Sequence, residues 1–373
     1  MRFVLLQEGD TPTGASVSHR PREMVREAIF AEEMDFDCWG ISEHHAVEQV
    51  ATVSAPELLH AVVAYQTSRI KIRSMSTVML PFNHPIRTAE RVATLDILSH
   101  GRFELGTARG NNAALVNAFG YDMQTTREQY RETMQVYVDA LTKEVVNFDG
   151  DFYKVVDTRV VPRLYSRELP PMYVSATSFE THEMAGQIGI GAMSGGLFDW
   201  DYYNSCAEKY RKGVQNQQLL GDYPPNNSLS AVCIGAHCAP TKAQALEESR
   251  PVGLGFARWV GQFFAPLAKS SPDYAYMAEV VKHLGSGTWE KLVDGLPYFL
   301  VGAPDDVIEK IKLFESLGYG ETVMRIDGLG HKMVMQAIEM FGKYVIPEFR
   351  SPASVERARS YQEFDVEQHL YPT

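Results

Sequence analysis

Short apolar runs rich in β-branched residues alternate along this chain with segments whose apolar positions recur at helical spacing. RFVLLQ (2–7) opens as a strand, and in the following REMVREAIFAEEM the positions Val25, Ala28 and Ile29 fall on one helical face. FDCWGIS (36–42) reads as a second strand. APELLHAVVAYQT (55–67) is a helix with Pro56 in its first turn, where proline is tolerated. IKIRSMSTVML (70–80) is a third strand, PIRTAERVATLDILS (85–99) a helix closed by Gly101, and RFELGTA (102–108) a fourth strand. A long helix over 126–143 leads into VVNFDGDFYKVVDTRVVP (145–162). That stretch alternates like a hairpin with Asp-Gly at its turn. Strands follow at PPMYVSA (170–176), IGAMSGG (190–196), LSAVCIGAHCA (229–239) and ETVMRID (321–327), with helices at 178–189 and 331–345.

Eight strands with helices between them predict an α/β fold, a (β/α)8 TIM barrel. The expected barrel is one domain over 1–349 with a C-terminal extension over 350–373. It has an excursion hairpin near 145–165 and a lid insertion near 268–297, in a stretch rich in Gly, Ser and Pro just before the last strand. A doubly wound sheet would carry a phosphate fingerprint after its first strand. Here EGDTPTGAS follows, with no GxGxxG, and no GxxxxGK[ST] occurs anywhere.

Composition narrows the partners. Charged residues are 22% and hydrophobic residues 45% of 373, ordinary for a globular chain. A net charge of −12 without a basic run argues against nucleic acid and anionic membrane. None of the four cysteines forms a CxxC, no metal site is expected, and no run reaches the ~18 apolar residues of a membrane span. The N-terminus turns acidic too soon for a signal peptide. The expectation is a soluble, reduced, cytoplasmic protein.

In a barrel the active site lies at the C-terminal ends of the strands. Glu43, His44 and His45 end the second strand, and Asn83 and His84 follow the third. Arg109, Gly110, Asn111 and Asn112 follow the fourth, Ser175, Ala176, Thr177 and Ser178 the fifth, and Ser194 to Gly196 the sixth. The SATS loop suits either a phosphate or a simple helix cap. Arg109 is either a surface ion pair or a phosphate clamp. Together the two loops point to a phosphate-bearing ligand. Neighbouring side chains of a strand face opposite ways, so His44 and His45 are not expected to share a metal. His44 reads as an acid–base group or as a satisfied core histidine. Glu43 reads as a hydrogen-bonding or ion-pair residue. His84, held extended before Pro85, orients a ligand or starts a helix. Glu90 suits a subunit interface, and Trp259 belongs to an aromatic helix face.

FDCWGISEHH (36–45), VMLPFNHPIRTAERVATLDILSHGRFELGTARG (78–110), VPRLYSRELPPMYVSATS (161–178) and VGAPDDVIEKI (301–311) occur in the order and spacing of one family. Over 1–349 the chain resembles the bacterial luciferase-like flavin-dependent monooxygenases, on their luciferase α-subunit side. The resemblance implies a barrel that binds reduced FMN at the C-terminal rim and usually dimerises. It implies that Arg109, Ser175 and Ser178 hold the FMN phosphate, with Asn111, Ala176 and Thr177 on the same loops. His44 matches the family's catalytic histidine. Ser76 and Thr77 match the place of a non-proline cis peptide under the flavin ring, Glu90 the subunit interface, and 268–297 a mobile lid. Ala108 stands where luciferase α-subunits carry a reactive cysteine, so light emission is not implied.

The implied chemistry is that of a two-component enzyme. An NAD(P)H:flavin reductase supplies FMNH2, and O2 gives a C4a-(hydro)peroxyflavin. Oxygen is then transferred to a small, hydrophobic organic substrate by hydroxylation or Baeyer–Villiger insertion. The alternatives are an F420-dependent dehydrogenase or reductase on the same barrel, and a non-catalytic flavin-binding partner subunit.

Overall fold

The structure, a computed structural model, describes residues 1–12, 14–45, 50–110, 115, 118–270 and 288–350, excepting the side chains of 123, 257, 258 and 260–270. Asn111 and Asn112, residues 271–287 of the expected lid and the expected extension past 350 lie outside the described residues. The strands are β1 (Arg2–Gln7), β2 (Cys38–Ser42), β3 (Lys71–Val78), β4 (Phe103–Ala108), β5 (Val146–Asp149), β6 (Lys154–Thr158), β7 (Met172–Ala176), β8 (Gly191–Ser194), β9 (Leu229–Cys233), β10 (Gly235–Cys238), β11 (Phe299–Gly302) and β12 (Glu321–Arg325). The α-helices are α1 (Arg20–Glu33), α2 (Pro56–Gln66), α3 (Pro85–Ser99), α4 (Thr126–Thr142), α5 (Phe179–Gln187), α6 (Trp200–Gln215), α7 (Lys242–Ser270), α8 (Trp289–Gly295), α9 (Pro304–Ser316) and α10 (His331–Met340).

Eight strands close into a barrel in the order β1-β12-β9-β8-β7-β4-β3-β2, every neighbouring pair parallel. Period-2 alternation explains why the strand sequences are apolar throughout. Val4, Leu6, Cys38, Met75, Tyr173, Met193 and Val323 form an inner cluster, while Phe3, Leu5, Trp39, Ile41, Ile72 and Leu105 pack in the larger core outside it. The expected hairpin is present: β5 and β6 pair antiparallel across Asp149-Gly150.

Two expectations need correction. The run 229–239 is not one strand. β9 stays in the barrel as far as Cys233, opposite Met324, and β10 then leaves to pair with β11 in a separate parallel ribbon. The split is stabilised at Ile234, whose carbonyl accepts from Arg325 Nη1 at 3.3 Å, while β11 satisfies the backbone groups that β10 takes out of the barrel. The peptide between Ser76 and Thr77 is trans; among the described residues only Val161–Pro162 is cis. β3 instead shifts register against β4 between Ser74 and Thr77. The strands approach closely here: a Cβ at Gly106 would collide with the Ser74 and Met75 carbonyls.

A charged layer floors the barrel. Arg73 is fully buried; its Nε donates to Glu104 at 2.8 Å and its Nη1 to Glu321 at 2.6 Å, and its guanidinium lies 3.7 Å over the Tyr173 ring. Ser230 donates to Glu321 at 2.7 Å, and Arg2 pairs with both carboxylates from below. Met75, two residues along β3, lines the opposite, C-terminal mouth. All four cysteines are free and buried, and burial pushes each thiol above its ordinary range, so none is poised to react. Among the described residues no helix is long and apolar enough to cross a membrane.

Candidate active site

One cavity opens at the C-terminal mouth and holds about 1600 Å³ of empty space, counting its open end. Leu6, Met75, Val78, Met193, Leu197, Val232 and Ile234 give it apolar walls, and Phe256 and Trp259 on α7 cover one side. Polar groups from six strand ends enter it: Glu8, His44, Ser76, Arg109, Ser175 and Arg325.

The two histidines diverge, as adjacent groups at a strand end would. His44 Nε2 lies 3.1 Å from Glu8 Oε1 on the β1 side, and its ring is 26% exposed. His45 Nε2 lies 2.9 Å from Glu43 Oε1 on the β3 side, its ring edge-on to Phe82 and Phe119. Glu43 is a knot. It accepts from Val78 N and from Asn83 Nδ2, both at 2.9 Å, and so ties the end of β2 to the end of β3. The two rings thus turn to different carboxylates and do not converge on one point. Among the described residues the one cluster with ligand spacing, Glu23, Glu27 and His331, lies elsewhere and already binds Arg20.

Across the mouth Arg109 ends β4, half-buried, and makes no hydrogen bond or ion pair among the described residues. A guanidinium facing a cavity without a carboxylate is a ready anion partner. Ser175 at the end of β7 is exposed to the cavity, its Oγ donating to Met75 O at 3.3 Å. Gly195 lines the same wall, and a Cβ placed on it would meet nothing within 4 Å. A flat ligand can therefore approach the backbone there. Arg109, Ser175, the open cradle at Gly195 and the apolar walls fit a phosphate-bearing ring system such as FMN.

The mouth thus gathers Glu43, His44, Ser76, Arg109, Ser175, Ala176, Thr177 and Trp259. It does not gather four others. Thr77 turns outward, its Oγ1 2.6 Å from Ser74 Oγ, because alternation carries it to the face opposite Ser76. Ser178 caps α5, its Oγ accepting from Thr181 N at 3.2 Å. His84 caps α3, its Nδ1 accepting from Ile86 N at 3.3 Å. Glu90 pairs with Arg87 on the outer side of α3 at 3.0 Å. Tyr203 is a packing residue, fully buried against Phe314 and Tyr319.

Sequence reasoning missed Glu8 and Arg325. Arg325 Nε donates to Glu8 Oε2 at 2.9 Å, and its Nη2 bonds Asp10. The signal was available: LQEGD and MRID put charges straight after the first and last strands, which a closed barrel makes neighbours.

Residues 1–321 match a family model described as luciferase-like monooxygenase. The 4-hydroxyprotoasukamycin monooxygenase of Streptomyces nodosus subsp. asukaensis is 27% identical over 330 residues, 86% of this chain and 85% of that protein. The F420-dependent glucose-6-phosphate dehydrogenase of Amycolatopsis mediterranei is 25% identical over 89% of this chain and 95% of that protein. Among solved structures, the oxygenating constituent of 3,6-diketocamphane monooxygenase of Pseudomonas putida, a type II Baeyer–Villiger enzyme in complex with FMN, superposes with a TM-score of 0.76. It is 22% identical and covers 94% of this chain and 99% of that one, a likeness of fold. With the family model spanning most of the barrel, the chain belongs to the luciferase-like monooxygenase family.

Proposed function

We propose that this chain is the oxygenating component of a two-component, FMNH2-dependent monooxygenase acting on a small, mainly apolar organic substrate. A separate NAD(P)H:flavin reductase supplies the reduced flavin. The observation that carries this reading is Arg109, a guanidinium with no hydrogen bond or ion pair among the described residues, at the rim of an apolar cavity. Reduced FMN held there would supply the two electrons that activate O2, one oxygen atom of which would enter the substrate by hydroxylation or Baeyer–Villiger insertion while the other leaves as water. Arg109 and Ser175 hold the phosphate, with Ser76, Ala176 and Thr177 along the same rim. His44 holds or gives a proton at the reacting centre. The apolar walls and Trp259 exclude water, and excluding water limits side reactions.

Arg109→Ala is expected to weaken reduced-FMN binding about 10- to 100-fold, the ~1.5–3 kcal/mol of a hydrogen bond to a charged group. Anaerobic titration followed by flavin fluorescence or calorimetry measures it. Unchanged affinity would remove Arg109 from the phosphate site. The Amycolatopsis relative keeps the F420 reading as the alternative, and titration of F420 against FMNH2 separates the two.

The chain is further proposed to be a homodimer. α2 exposes Leu58, Val62 and Tyr65 at i, i+4 and i+7, with Tyr65 83% exposed, beside the α3 helix that carries Glu90. An apolar stripe of this kind fits burial against a second copy. Val62→Glu with Tyr65→Glu should turn a sedimenting dimer into a monomer with the barrel intact by circular dichroism. A wild-type monomer at micromolar concentration would contradict the assignment.

A further inference from the structure

We propose that Glu8 is the positioning residue for His44, gripping the ring at Nε2 so that the reactive proton is carried at Nδ1. The inference rests on His44 handling a proton in the reaction proposed above. Both Glu8 oxygens are committed: Oε1 to His44 Nε2 at 3.1 Å, and Oε2 to Arg325 Nε at 2.9 Å. Arg325 cannot drift, because it is bonded to Asp10 and to Ile234 O and lies 5.0 Å over the Phe256 ring. The backbone of Glu8, Gly9 and Asp10 is fixed too, its three N–H groups converging on Asp327 Oδ2 at 2.7, 2.8 and 3.1 Å.

The same segment holds the main chain of His44. His44 N donates to Val53 O at 2.8 Å, Val53 N to Glu8 O at 3.4 Å, and Thr52 Oγ1 to Gly9 O at 2.7 Å. Ring and backbone of His44 therefore hang from one braced turn.

An ionised carboxylate only accepts hydrogen bonds, so the ring must donate from Nε2. Neutral His44 then has its lone pair on Nδ1, which has no partner among the described residues. Burial pushes the Glu8 carboxyl up, but the hydrogen bond and charge of His44 and the charge of Arg325 outweigh it and hold the group down at about 2. Glu8 is thus a carboxylate at neutral pH. The other charged groups near the ring are Asp10 and Arg325 behind Glu8, Glu43 and His45 bonded to each other on its own segment, and Arg109 across the mouth.

The test is nitrogen-edited NMR of the imidazoles in the full chain, without cofactor. In the wild type, neutral His44 should be the Nε2–H tautomer; finding the Nδ1–H tautomer would overturn the proposal. In Glu8→Gln, loss of the acceptor-only carboxylate should release the ring, so that the Nε2–H form no longer dominates the neutral imidazole. Turnover should fall with it at unchanged reduced-FMN affinity. A Glu8 that merely stabilises the fold would leave the His44 tautomer in place, which also overturns the proposal. The wild-type tautomer stands as a test even if Glu8→Gln does not fold. Because the NMR readout needs no flavin, a failure of the FMN reading is distinguishable from a failure of this one.

Discussion

His44→Ala is expected to lower turnover by about 10²- to 10⁴-fold, the range of a positioned general acid or base, while leaving reduced-FMN affinity nearly unchanged. The split follows from position. The ring enters the mouth from the β2 end, held on Glu8, whereas the candidate phosphate groups Arg109 and Ser175 sit at the β4 and β7 ends. Removing the imidazole takes away a proton carrier without touching the proposed anion clamp. Steady-state turnover together with anaerobic flavin titration measures both quantities. Equal losses in both would mean that His44 binds rather than reacts, and unchanged turnover would remove it from the mechanism.

The second large effect lies at the barrel floor. Arg73→Ala is expected to destabilise the fold by about 3–5 kcal/mol, because it leaves Glu104 and Glu321 buried with only Arg2 to face. The pH dependence has a definite sign. In the wild type, burial pushes Glu321 up, but the charge and hydrogen bonds of Arg73 outweigh it and hold Glu321 below its ordinary value. That contribution is present above the unfolded pKa of about 4.3 and is lost as pH falls through the folded value. In the variant, burial without Arg73 opposes ionisation, so its penalty is greatest at neutral pH and relaxes on acidification. The gap between the two proteins should therefore narrow as pH falls below about 5. Urea unfolding at neutral and acid pH checks it; a gap constant with pH would show that lost packing, not charge, sets the cost.

Much of this architecture was legible in the sequence because burial on both faces leaves a plain mark. Runs such as RFVLLQ and FDCWGIS are apolar at successive positions, and the Asp149-Gly150 turn announces the hairpin. The departure of β10 was not legible, since LSAVCIGAHCA is apolar throughout and its partner β11 lies about sixty residues further on. At the mouth, residues directly at strand ends line the cavity, His44, Ser76, Arg109 and Ser175 among them. Thr77 and Ser178, each one position past a residue that lines it, do not. A one-residue step turns a strand side chain to the other face, and a helix cap competes for the hydroxyl. Glu8 and Arg325 pair across the closure of the first strand on the last, so each is legible only when the two strand ends are read together as neighbours of a closed barrel.

The most direct test of the central claim is to load the purified chain with reduced FMN without oxygen, mix it rapidly with O2 and follow the appearance of oxidised FMN. Oxygenation in a dry cavity predicts a lag relative to reduced FMN free in buffer. It also predicts that, once a substrate is found, one atom of labelled O2 enters the product. Reoxidation at the rate of the free flavin, together with tight binding of F420 and no O2 uptake, would contradict it and assign the chain to hydride transfer.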